Sequence, residues 1–235
     1  MTTEPAHGAA DEPTKDPDSR GVPLVPVLLA LTVVSGLIDA VSYLGLGNVF
    51  TANMTGNVVV LGFAAAGAPG FSVPHTATSL GCFLAGAAVG GRVARRLGTG
   101  SRRTWTRTTL AAEAALVGIS AAVAFAAPDH APVTVYSVIA LTAFAMGLRN
   151  ATVRKLGVAD LTTTVLTMTL TGLASDSRAG GGAGMRSPRR TASVVAMVVG
   201  AAVGAWLVLH HGIAVPLLVG AVVVAALALT ASGRE

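Results

Sequence analysis

The chain is 235 residues long, 52% apolar and only 11% charged, with a formal net charge of +5, whereas water-soluble domains carry about 25% charged side chains. With a mean hydropathy of +0.69, too few polar residues remain to clothe a soluble surface, which excludes a water-soluble fold. A lone cysteine, Cys82, likewise excludes an internal disulfide and any multi-cysteine metal site.

The first 22 residues hold five acids, two bases (Lys15 and Arg20) and three prolines without apolar periodicity, the composition of a disordered cytoplasmic tail. They lack the basic stretch that opens a secretory signal peptide. Beyond them stand 14 bases against 6 acids, a net charge of +8. This excess does not indicate nucleic acid as a partner, because the arginines flank apolar runs with almost no interleaved aromatics, as topology determinants do.

Residues 23–46 form the first apolar run of about 20 residues, the length that carries a helix across ~30 Å of hydrocarbon. Residues 50–68 come next, apolar but threaded with Thr, Asn and Gly. Runs at 75–97, 105–127 and 132–150 follow, then a second short polar-headed segment at 161–174, and finally runs at 191–210 and 213–230. The fold class expected is all-α: a polytopic membrane protein with six transmembrane helices and two short re-entrant or broken helices.

Basic residues orient these spans. Arg92, Arg95, Arg96, Arg102, Arg103 and Arg107 place the connection after 75–97 in the cytoplasm. The turn 128–131 has no base and lies outside; Arg149, Arg154 and Lys155 mark the cytoplasmic end of 132–150. The linker 175–190, with Arg178, Arg186, Arg189 and Arg190, also belongs inside, so 161–174 enters and returns on one side. The base-free turn 69–74 lies outside, and local length alone does not decide whether 50–68 crosses or dips.

An internal echo bears on that choice. Gly86-Ala-Ala-Val-Gly90 recurs as Gly200-Ala-Ala-Val-Gly204, Gly36-Leu37 as Gly147-Leu148, Leu44-Gly45 as Leu156-Gly157, and Thr51 and Thr55 as Thr163 and Thr167, at offsets of 111 to 114 residues. Two halves, 23–127 and 132–230, would each hold three spans and one short segment, and an odd span count inverts one half against the other. Inverted repeats with interrupted segments in corresponding places mark transporter-like binding sites. Symmetry then has 50–68 dip from outside as 161–174 dips from inside. The rival is eight crossings in a parallel repeat, which would put 175–190 outside with its four arginines against the rule. Residues 231–235 form a short tail.

Candidate functional residues cluster in the short segments. Phe50-Thr-Ala-Asn-Met-Thr-Gly-Asn57 sets two Asn, two Thr and one Gly at the head of an apolar run, where a half-helix N-terminus would offer N–H groups to a polar or anionic solute. Asn53 and Asn57, four apart, are expected on one helical face; the bland reading is that Asn53 and Thr55 cap the helix and glue it to its neighbours. The counterpart carries Thr162, Thr163, Thr164, Thr167, Thr169 and Thr171, which could line a pore or bond back to their own helix. Asp39, two-thirds along an apolar span, is costly in lipid and marks a cavity or partner; its repeat counterpart is Asn150. Glu113 has the same logic, with Arg107 within reach as a cytoplasmic partner. His75, His130, His210 and His211 fall at outer span ends as interfacial residues, and the GAAVG pairs read as close-packing surfaces. No P-loop, HExxH, GxSxG or paired Glu/His set is present, so neither an enzyme, a cofactor nor a metal is expected.

The stretches Gly36-Leu-Ile-Asp-Ala-Val-Ser-Tyr-Leu44 and Val49-Phe-Thr-Ala-Asn-Met-Thr-Gly-Asn57, with Gly147-Leu-Arg-Asn-Ala151 and Leu161-Thr-Thr-Thr164, resemble the YoaK-type family of bacterial inner-membrane proteins over roughly residues 25–230. That resemblance implies a multi-pass protein of the bacterial cell membrane with a similar count of spans, and supplies no substrate, since the family is a domain of unknown function. The glycine- and arginine-rich linker 175–190 departs from the pattern. The resulting expectation is a channel or secondary transporter for a small polar or anionic solute, with Asp39, Asn53, Thr55, Asn57, Thr163, Thr167, Asn150 and Glu113 as binding residues. The alternative is a non-transporting scaffold or sensor whose polar residues are packing glue. Expected partners are the lipid bilayer and a small molecule or ion, with a homo-oligomer left open.

Overall fold

A computed structural model of the protein describes residues 21–97, 101–127, 131–157, 166–177, 180–181 and 188–232. Most of the acidic tail, His130, Thr162 to Thr164 and half of the linker 175–190 lie outside the described residues. Eight helices occur among those described: α1 (Leu24–Gly45), α2 (Met54–Ala65), α3 (Val73–Leu97), α4 (Arg102–Ala126), α5 (Pro132–Leu156), α6 (Leu166–Ser175), α7 (Pro188–His211) and α8 (Ala214–Thr230). Five of them, α1, α3, α4, α5 and α7, are long and apolar enough to cross a membrane. The 17 residues of α8 measure about 25 Å, slightly short of the hydrocarbon core, and the 12 residues of α2 only about 18 Å. The protein is thus an all-helical, polytopic membrane protein.

Large apolar side chains on α7, such as Val198, Trp206 and Leu209, stay exposed, whereas α1 and α5 are buried over more than half of their length. Between helices already solvated by lipid, association depends on close van der Waals contact, which small residues permit. The repeated glycines supply it. A side chain on Gly200 would strike the Val33 carbonyl, one on Gly204 Leu37 and Ala40, and one on Gly36 the backbone of Met197 and Ala201. Both partners ascend in step, so α1 and α7 run parallel. In the same way Gly86 abuts Phe144, Gly90 abuts Leu148 and Ala151, and Gly147 abuts Phe83 and Ala87; α3 and α5 are parallel too. The pair α4 and α8 is antiparallel, since Arg107 Nε donates to the Ala231 carbonyl at 2.8 Å while Gly118 faces Ala221.

Hydrogen bonds at the helix ends gather the termini into two faces. Val22 N–H meets the Thr230 carbonyl at 2.8 Å and Arg102 Nη2 meets the Leu156 carbonyl at 2.7 Å. The starts of α1 and α4 and the ends of α5 and α8 therefore share one face, where exposed Arg92, Arg95, Arg96, Arg154 and Lys155 also stand. On the opposite face Asn48 Nδ2 donates to the Gly70 carbonyl at 2.8 Å, and the His75 and Tyr136 rings lie 4.9 Å apart. Residues 46–72, with α2 inside them, therefore leave and return at the same face. Nearer the arginine-rich face, Arg190 at the start of α7 pairs with Asp176 just past α6 at 2.7 Å.

Candidate functional site

Helix α1 ends where Gly47 and Asn48 adopt left-handed φ values of 87° and 57°. The following residues are buried without helical hydrogen bonds: Val49, Thr51 and Ala52 are at most 2% exposed. Main-chain polar groups at such depth need partners, because lipid offers none. Two side chains provide them. Asp39 Oδ1, one helix turn and a half before the end of α1, accepts from the amides of Thr51, Ala52 and Asn53 at 3.2, 2.8 and 3.4 Å. Asn57 Oδ1 accepts from the Phe50 amide at 2.8 Å, and its Nδ2 donates to the Phe50 carbonyl at 2.6 Å and to Ser79 Oγ at 3.1 Å. Ser79 Oγ in turn donates to the same Phe50 carbonyl at 2.6 Å, which fastens the break to α3.

Asn53 caps α2, its Oδ1 accepting from Gly56 N–H at 3.3 Å. Gly56 leaves room for the Phe50 ring, which a side chain there would strike, and that ring stacks on Tyr43 with centroids 4.8 Å apart. Of the amides at the head of this segment, those of Thr51, Ala52 and Asn53 are taken up by Asp39 and that of Gly56 by Asn53. Asp39 itself lies just ahead of the start of the short helix and brings a negative charge to the approach an anion would use.

Next to this break lies a cavity of about 780 Å³. Asp39 and Tyr43 reach it from α1, Asn53 from the break, Thr55 and Phe63 from α2, Leu166 and Thr167 from α6, and Met197, Ala201 and Ala205 from α7. The leading turns of both short helices therefore border one space. Of the residues singled out by sequence, Asp39, Asn53, Thr55 and Thr167 line it together. Asn57 is fully buried and committed to Phe50 and Ser79. Thr163 lies outside the described residues. Asn150, on α5, does not line the cavity and donates its amide to the Met146 carbonyl at 2.8 Å.

Glu113 is wholly buried elsewhere in the bundle, paired with Arg149 instead of Arg107. Arg149 Nε meets Glu113 Oε1 at 2.9 Å, while Nη1 donates to the Leu31 carbonyl at 2.9 Å and Ser35 Oγ at 2.7 Å. The pair joins α4, α5 and α1. Sequence reasoning missed it because Arg149 was counted with the loop bases: the predicted span stopped at 150, whereas α5 continues to Leu156 and buries Arg149 almost two turns inside. The signal available was Glu113, an acid in an apolar span that required a base at equal depth. Ser79 was also missed, since a serine following Thr76 and Thr78 at the head of a span gives no signal of its own. His75 sits against Tyr136, and His210 and His211 against Trp206. Among the described residues no three His, Cys, Asp or Glu side chains converge as metal ligands.

The family described as "Protein of unknown function (DUF1275)" matches residues 27–230, and the chain belongs to it. The UPF0700 transmembrane protein YoaK of Bacillus subtilis (strain 168) is 35% identical over 153 residues, which cover 64% of this chain and 65% of that relative. The match therefore spans just under two thirds of the relative's own length. No solved structure matches. The resemblance read from the Asp39 and Asn53 to Asn57 stretches thus holds, and the chain is a multi-pass membrane protein similar to another transmembrane protein.

Proposed function

We propose that this DUF1275 protein is a channel or secondary transporter of six crossings and two re-entrant helices, built as an inverted repeat, which takes a small polar solute beside Asp39. The observation that carries the reading is the cavity of 780 Å³ bordered at once by an intramembrane carboxylate and by the leading turns of α2 and α6. Ionisable residues within membrane spans ordinarily face a partner or a solute path. Helix packing supports the inversion: each contact of the first half has a counterpart four elements later. The parallel pair α1 and α7 answers the parallel pair α5 and α3, and α1 against α8 answers α5 against α4. Because α1 starts and α5 ends on the arginine-rich face, the halves point in opposite directions, and the positive-inside rule puts that face in the cytoplasm. Eight crossings would need 46–72 to end on opposite faces, against the Asn48 to Gly70 bond.

The test is flux in proteoliposomes loaded with a panel of small solutes, comparing the parent protein with Ala201→Trp. Ala201 borders the cavity from α7 and makes none of the Asp39 hydrogen bonds, and an indole there takes up part of the space and narrows the path. Flux of an identified solute should fall at least tenfold. Undiminished flux in a folded Ala201→Trp protein removes the cavity from the path. Retention of a stoichiometric protein partner, with no solute carried by either protein, favours the scaffold or sensor reading.

A further inference from the structure

The same cavity has a chemistry that narrows its ligand. We propose that it selects an organic cation, a molecule with one ammonium group on an apolar or aromatic body; the inference rests on the reading of the cavity as a solute site.

Three observations lead there. First, an anion would approach the start of α2 past a carboxylate: the Thr51, Ala52 and Asn53 amides just ahead of that helix all point to Asp39 Oδ1, and the Gly56 amide in its first turn points to Asn53. Second, among the described residues the lining holds one carboxylate and no Arg, Lys or His. Asp39 Oδ2 receives no hydrogen bond from the described residues, so one oxygen of the acid remains to meet a ligand. A carboxylate at membrane depth is stabilised by a partner of opposite charge; among the described residues no basic side chain borders the cavity, and Arg149, the base whose charge reaches Asp39, is paired with Glu113. Third, four aromatic rings, those of Tyr43, Phe50, Phe63 and Phe71, share the wall. Ring faces attract ammonium groups, most strongly where water is excluded.

A bare metal ion fits poorly. Calcium or magnesium takes about six or more oxygen ligands, and the described lining offers the side-chain oxygens of Asp39, Asn53, Thr55 and Thr167, with Tyr43, among apolar groups. The volume of 780 Å³ lies within the roughly 300–1,000 Å³ typical of small-molecule sites. An ammonium carried on a ring or short chain would place its charge at Oδ2 and its body among the aromatics.

The test uses the full chain in detergent and benzyltrimethylammonium as probe, with neopentylbenzene as its uncharged isostere and phenylacetate as an anion. The parent protein should bind the cation in preference to both. In Asp39→Asn the amide oxygen still accepts the three backbone N–H groups while the charge is gone, so the melting temperature should stay close to the parent's and cation affinity should fall about tenfold or more. Thr167→Lys, which leaves the Asp39 hydrogen bonds untouched, should suppress cation binding by supplying an internal ammonium. Unchanged cation affinity in a folded Asp39→Asn or Thr167→Lys protein, or preferential binding of phenylacetate, overturns the inference. Equal binding of the uncharged isostere refutes the charge requirement but leaves the solute site standing, whereas the flux result with Ala201→Trp decides that reading separately.

Discussion

The buried pair of Glu113 and Arg149 gives the sharpest quantitative expectation, because its two members fail differently. Both side chains are about 1% exposed. Removing one partner of a buried ion pair typically costs about 3–5 kcal/mol, since the other charge is left uncompensated. Glu113→Gln strands a guanidinium that cannot shed its proton, and the Leu31 carbonyl and Ser35 hydroxyl offset that only in part. It should lose the full amount, about 4 kcal/mol. Arg149→Met strands a carboxylate that can become neutral by taking up a proton, so its cost should be smaller, nearer 2–3 kcal/mol. The double variant Glu113→Leu with Arg149→Met removes both charges, and a well-packed apolar replacement of an ion pair is often neutral to stabilising, so it should fall within about 1 kcal/mol of the parent. Reversible unfolding in mixed micelles by sodium dodecyl sulfate titration measures all three. A double variant no more stable than Glu113→Gln would refute the reasoning, as it would mean that packing or the bonds to α1, and not charge compensation, set the cost.

Asn57→Leu should destabilise by about 1–3 kcal/mol, because the buried Phe50 amide loses its acceptor; Ser79→Ala should cost about 1 kcal/mol or less, since Asn57 still serves the Phe50 carbonyl. Equal losses in the same titration would contradict that division of labour. For topology, in a Cys82→Ala background, a cysteine replacing Gly70 should react with an impermeant maleimide from outside the cell and one replacing Gly180 only after the inner face is exposed. Labelling of both from the outside would eliminate the re-entrant arrangement.

The long helices were legible because length and apolarity are local properties, and the arginines ordered their ends. The break between α1 and α2 was legible too: Thr, Asn and Gly at the head of an apolar run cannot sit in lipid. What escaped was the division of labour within it. Spacing by four suggested that Asn53 and Asn57 share a helical face, but α2 begins at Met54, so Asn53 is the cap and only Asn57 follows helical periodicity. One looks into the cavity while the other is locked behind its wall. Arg149 escaped for a different reason. Its partner lies 36 residues away in sequence, and a base near a span end looks like a topology signal until the helix is seen to run on past it. Pairing at depth is a tertiary property that no window of sequence contains.

Asp39 exposes the limit of a purely structural account of that break. Capping backbone amides does not require a charge: Asn and Ser serve as helix caps about as well as Asp, and either would avoid the several kcal/mol attached to a carboxylate at membrane depth. Asn53, whose own amide is one of the three that Asp39 receives, caps α2 in just this neutral way. If holding residues 51–53 were the whole task, a neutral side chain at position 39 would do it with less strain on the bilayer environment. The structure gives the acid two roles: its Oδ1 accepts from three amides, and the side chain borders an aromatic-walled space. The first explains where the backbone goes, and only the second gives a reason for the charge.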